Sequence, residues 1–164
     1  MPISKLIPMR YLPSQLSRKD RKSHLNALNK SRKLYKIGKY YSRPKIASFK
    51  SKKSKHILKA EKMYNINKIQ PNAELSQKTN CSINSLKKIV KKGEGAYYSS
   101  GSRPNQTAKS WGIARLASAI TGGKASAIDF DILRKGCNHK TSKAYRIAKS
   151  PNYGRRHTKR IFVK

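Results

Sequence analysis

The segment GEGAYYSSGSRPN, residues 93–105, is where residue types and spacing come nearest to a chemical site. Gly93, Gly95 and Gly101 open backbone conformations closed to other residues. The hydroxyls of Ser99, Ser100 and Ser102 with successive amides could ring an anion, and Arg103 could close over it. The same residues also read as a rigid structural loop, with Tyr97 and Tyr98 packed on Trp111 and Arg103 capping a carbonyl or pairing with Asp129. Nucleotide hydrolysis is poorly supported. A P-loop needs GxxxxGK[ST] after a strand, whereas TGGKAS follows an expected helix and has Ala125 where a hydroxyl must hold magnesium.

Other chemistries find fewer residues still. Cys137 and His139 stand two apart, while Cys81, His24, His56 and His157 are scattered, so the paired spacing of a zinc site is missing. A thiol nucleophile would have to be Cys81 or Cys137, and nothing nearby in sequence supplies both a base and an oxyanion site. Asp129 and Asp131 point to different sides of an expected helix start and read as capping and dipole partners. The sequence thus implies a non-enzymatic protein without metal or cofactor. Two cysteines and no export signal make reduced thiols the expectation.

Charge is the dominant property. Forty Lys and Arg face six Asp and Glu over 164 residues, a formal charge of +34. Basic side chains at this density favour phosphate, because each one neutralised releases condensed counterions. The candidate nucleic-acid-binding residues are Arg18, Lys19, Arg21, Lys22, Lys50, Lys52, Lys53, Lys55, Arg103, Lys109, Arg115, Lys124, Arg155, Arg156, Lys159 and Arg160. Tyr35, Tyr40, Tyr41, Tyr145 and Tyr153 are interleaved with them, either to stack on bases or to anchor chain segments. No apolar run is long enough to span a membrane, and Pro8 and Pro13 interrupt the first one, so no secretory signal is expected there.

The elements that must position these residues follow from how the charge is distributed. Residues 1–70 carry 20 basic residues against Asp20 and Glu61, and residues 134–164 carry 11 basic residues and no acid. Residues 93–133 are close to neutral, with four basic and three acidic side chains. Repulsion opposes compaction, so the expectation is a mainly α protein in three parts. These are a basic N-terminal arm over 1–70 with one or two amphipathic helices, a compact module of three to four short helices over 71–135, and a basic tail over 136–164.

Within the arm, Ser14 or Ser17 caps a helix to about Leu34, ended by Gly38, and a second helix covers about 53–65. Within the module, Asn72 starts a helix to about Lys78, and Ser82 caps one carrying Ile83, Leu86, Ile89 and Val90 that stops at Gly93. These two, joined by TNCS at 79–82, resemble a helix-turn-helix. Thr107 caps a further helix to about Thr121, and a last one covers about 127–135. In this arrangement Gly93, Gly95, Tyr97, Tyr98, Gly101 and Trp111 form the structural loop.

The stretch KKGEGAYYSSGSRPNQTAKSWGIARLASAITGGKASAID resembles the signature block of an uncharacterised protein family of large double-stranded DNA viruses of algae and protists. RYLPSQLSRKDRKSHLNALNKSR and RPKIASFKSKKS are similar to that family's basic N-terminal part, so the resemblance covers about residues 10–135. It implies a viral origin and supplies no mechanism. The expected function is therefore neutralisation of nucleic-acid phosphate in the virion, with DNA ahead of RNA as partner. During assembly the protein would pass through the host cytoplasm or nucleus. The alternative is a minor capsid or cement protein whose basic extensions bridge acidic surfaces of capsid proteins.

Overall fold

The computed structural model describes residues 5–150 and 159–163. They are mainly helical: β1 (Lys5–Pro8), a 3-10 turn (Met9–Tyr11), α1 (Arg18–Lys36), α2 (Lys55–Tyr64), α3 (Ala73–Thr79), α4 (Ile83–Ser99), α5 (Ala108–Ile120), α6 (Lys124–Ile128), α7 (Phe130–Gly136), α8 (Lys143–Lys149) and β2 (Arg160–Val163). The chain divides into two compact units. One comprises the described residues of Met1–Lys52, Gly95–Ala108 and His157–Lys164, the other those of Lys53–Glu94 and Lys109–Arg156.

In the first unit, β1 and β2 pair antiparallel with Leu6 opposite Phe162 and Ile7 opposite Ile161. Helix α1 starts where the Ser17 hydroxyl accepts the Asp20 amide at 3.1 Å, satisfying one of the orphan donors of the first turn. The Asp20 carboxylate in turn accepts the Ser48 amide at 3.0 Å, and its hydrogen bonds to Ser48 hold it below the ordinary aspartate pKa. Ile7, Tyr11, Leu12, Leu28, Ile46 and Tyr97 are buried here. Gly101, at φ 134°, lies against Leu28 and Tyr11, and a Cβ there would sit 2.8 Å from Leu28 Cδ2. Asn105, itself in the left-handed region at φ 61°, pins the 46–49 segment through hydrogen bonds to Ile46 and Phe49.

The second unit is a helical cluster around Ala60, Tyr64, Leu75, Leu86, Ile89, Leu116, Ile120 and Leu133. Its helices begin at side-chain caps: Ser54 for α2, Asn72 for α3 and Ser142 for α8. Tyr64 donates its hydroxyl proton to the Ile120 carbonyl at 2.6 Å, and burial raises its pKa. Cys81 and Cys137 form a disulfide inside an isolated antiparallel bridge, with Ser82 N donating to Gly136 O and Asn138 N to Asn80 O, both at 2.8 Å. This corrects the expectation of reduced thiols. Backbone pairing around the two cysteines brings together residues separated by 56 positions, which spacing does not reveal.

Three further expectations are corrected. The expected arm is folded: its described residues form β1, α1 and α2 and bury Ile7, Leu12, Leu28, Ala60 and Ile69. The expected tail supplies α8 to one unit and β2 to the other. Side-chain direction is the physical reason. From Lys19 to Lys159 the lysines of these segments lie on the surface while a sparse apolar set turns inward. Lastly, α4 does not stop at Gly93 but continues to Ser99. Gly93 meets α5 instead, since a Cβ there would lie 2.6 Å from Gly112 Cα. Its bare backbone serves close helix approach rather than a left-handed end.

Candidate nucleic-acid interface

The loop expected to cradle an anion is largely helix. Gly93, Gly95, Tyr97, Tyr98 and Ser99 lie within α4, where their amides are directed along the helix rather than around a ligand. The side chain that organises this region is Arg43. Its guanidinium is buried, donating to the Tyr97 carbonyl at 2.6 Å, the Ser31 hydroxyl at 3.0 Å and the Ser102 hydroxyl at 2.8 Å. Its carbon sits 3.8 Å from the centroid of the Tyr97 ring. Arg32 donates to Ser100 O at 2.7 Å and Ser31 to Tyr98 O at 3.0 Å. Two arginines and a serine thus satisfy the carbonyls at the end of α4, where the helix dipole favours positive charge. Burial pulls the pKa of Arg43 below its ordinary value.

His24 is also buried in the first unit, and neither ring nitrogen has a hydrogen-bond partner. Burial, helped by the charge on Arg43, pushes its pKa down to about 4, so the imidazole is neutral at physiological pH.

In the second unit the fully buried carboxylate of Asp129 takes a fork of two 2.8 Å hydrogen bonds from Arg115 and an ion pair at 3.0 Å from Lys92. Arg115, expected on a nucleic acid, is therefore committed to the fold, and it is Arg115 rather than Arg103 that pairs with Asp129. Lys53 is engaged with Glu61 at 2.7 Å, and half-buried Arg21 donates to Leu12 O at 3.2 Å. Arg103 is exposed, with its pKa lowered by partial burial and by Arg10. Lys124 is half-buried. Arg18, Lys19, Lys22, Lys50, Lys52, Lys55, Lys109, Lys159 and Arg160 are exposed. Arg155 and Arg156 lie outside the described residues, as do Tyr153 and His157.

Among the described residues, α1 carries more exposed cations than any other helix. At 100° per residue, Arg18, Lys19, Lys22, Lys30, Lys33 and Lys36 fall within roughly a third of the circumference. His24, Ala27, Leu28 and Ser31 face inward. All six cations are exposed, on a helix of 19 residues, which is about 28 Å long. Lys30, Lys33 and Lys36 add to the cations expected from the sequence, and the 3.6-residue period puts them on the same side as Lys19 and Lys22. The tyrosines pack on one another: Tyr40 lies 6.1 Å from Tyr35 and 5.1 Å from Tyr98, and Tyr97 meets Tyr98 edge-on at 5.0 Å. Tyr145 is buried between Phe130 and His139. That arrangement fits anchoring better than base stacking. Trp111 is half-buried on α5.

Among the described residues no group of three or more His, Cys, Asp or Glu could hold a metal ion, and no helix is long and apolar enough to cross a membrane. What these features define is a mainly helical, strongly cationic protein of two compact units. The chain belongs to a family of unknown function (DUF5824), whose model matches residues 8–136. No curated protein and no solved structure matches it.

Proposed function

We propose that this protein is a non-enzymatic nucleic-acid-binding protein that neutralises phosphate charge, DNA ahead of RNA, inside the particle of a large DNA virus. The observation that carries the reading is the outward face of α1, six exposed cations over about 28 Å. The imbalance behind it cannot be relieved within the chain. Six acidic residues serve forty basic ones, and Asp129 already takes two of them. A surface of one sign is stable only with counter-ions, and a polyphosphate releases its own when it replaces them. The signature's resemblance to a viral family supports a virion as the setting, where a confined genome needs countercharge.

A thiol mechanism has no nucleophile, because both cysteines are spent in the disulfide. The cement-protein alternative loses its main support. It needs extended basic arms to run beneath a lattice, and the described residues of those segments are built into elements.

The test is affinity for duplex DNA, measured by fluorescence anisotropy across a salt series. Log affinity should fall linearly with log salt, with a slope near −0.9 per phosphate contacted, and Lys30→Gln with Lys33→Gln should reduce the slope by about two units. A flat salt response, or no binding at low salt, would remove the proposal.

A further inference from the structure

We infer that α3, the turn at 80–82 and α4 form a helix-turn-helix that places the outer face of α4 in the major groove of duplex DNA. This rests on the nucleic-acid reading above and narrows it to a strand geometry and a set of residues.

The first support is architecture. A helix of 7 residues is followed by a three-residue turn and a second, longer helix, the layout of DNA-reading helix pairs. Asn80 opens the turn in the left-handed conformation, at φ 53°. Ser76, small enough to sit beneath the turn, donates to the Cys81 carbonyl at 2.5 Å. Leu75 from α3, Cys81 from the turn, and Leu86 and Ile89 from α4 are buried in one core, so the pair is fixed as a unit. The turn is braced from behind by the disulfide to Cys137 and by the paired backbone of 80–82 and 136–138.

The second support is the outward face. Asn84, Lys87, Lys88 and Lys91 are all exposed. Their spacing, i, i+3, i+4 and i+7, aligns them along one side of α4 over about 10 Å, close to three base-pair steps. Glu94, one turn beyond Lys91, sits against Gly112 of α5 rather than on the open face. Lys78 on α3 is exposed as well, as is Glu74 on the same helix.

Chemistry selects the occupant. An amide side chain amid three ammonium groups is the donor and acceptor set that reads base edges: Asn pairs with adenine N6 and N7, and Lys with guanine O6 and N7. A B-form major groove admits a helix bearing these groups, whereas the deep, narrow major groove of an RNA duplex does not. The α1 face carries mostly cations and suits phosphate. The α4 face has the composition for sequence.

The experiment uses the full chain, oxidised, in rounds of selection from a randomised DNA duplex pool, followed by affinities for the enriched duplex, a scrambled duplex and an RNA duplex of equal length. A sequence should enrich. Asn84→Ala should lower the ratio of enriched to scrambled affinity by between about 5-fold and 100-fold. Lys87→Gln with Lys91→Gln gives a second variant, with the same direction expected. Lys30→Gln with Lys33→Gln on α1 should weaken both duplexes alike and leave the ratio unchanged. Salt-sensitive binding with no enriched sequence, a ratio indifferent to Asn84→Ala and to the lysine pair, or an RNA duplex bound as tightly as DNA would overturn this inference while leaving the nucleic-acid reading intact. Absence of binding to every duplex at low salt would overturn both.

Discussion

Arg43 holds Tyr97 at three points. Its amide donates to the phenol oxygen at 3.0 Å, its guanidinium donates to the residue's own carbonyl at 2.6 Å, and the same guanidinium lies 3.8 Å from the ring centroid. A buried cation normally demands a carboxylate. Here one carbonyl oxygen at the end of a helix, two hydroxyls and an aromatic face take its place.

That substitution fixes the cost of disturbing it. Arg43→Met leaves the Tyr97 carbonyl and the Ser31 and Ser102 hydroxyls short of a donor and should destabilise the protein by roughly 3 kcal/mol. Arg43→Lys should recover only part, because a single ammonium cannot reproduce the planar fork. Urea unfolding at pH 7 measures both.

His24 makes the same region sensitive to acid. Its folded pKa of about 4 lies below the unfolded 6.5, so the unfolded chain binds the extra proton first. Stability is complete above about pH 6.5, falls as pH drops towards 4, and loses roughly 3 kcal/mol across that window. His24→Gln should flatten the profile between pH 6.5 and 4. Protonation of Asp20, whose pKa is lowered from 3.8, adds its loss only below that window. Urea midpoints at half-unit pH steps separate the two.

Asp129 should tolerate little. Asp129→Ala strips Arg115 of both short hydrogen bonds and Lys92 of its counter-ion, and should cost about 3–5 kcal/mol, read as a fall in melting temperature. On the proposed function, affinity for DNA measured below the melting transition should change far less than with the α1 lysine pair, since Arg115 is engaged by Asp129.

The disulfide predicts that denatured, unreduced protein takes up no iodoacetamide, and that reductant exposes two thiols by mass. Cross-linking residues 56 apart restricts the unfolded chain, so Cys81→Ser with Cys137→Ser should lose up to about 4 kcal/mol. Free thiols in the native, unreduced protein would refute the bond.

What sequence made legible was local. Ser17 and Asn72 act as caps because a hydroxyl or amide two or three residues before an apolar period has one strong use. Gly93 misled because a glycine near a helix end has two uses, and only the partner helix with Gly112 shows which applies. Arg43 stood unmarked in a string of basic residues, since nothing local distinguishes a buried arginine from a solvated one. The Cys81–Cys137 bond and the pairing of Leu6 with Phe162 were out of reach for a related reason, as both join distant segments whose own composition says nothing of the partner.

That pairing also constrains the order in which the molecule can be made. Phe162 is added more than 150 residues after Leu6. At about 5–20 residues per second, β1 therefore waits roughly ten to thirty seconds with an unsatisfied edge. Through that interval the nascent chain offers a strand template to any passing neighbour, and its own lysines are the feature that keeps such neighbours away.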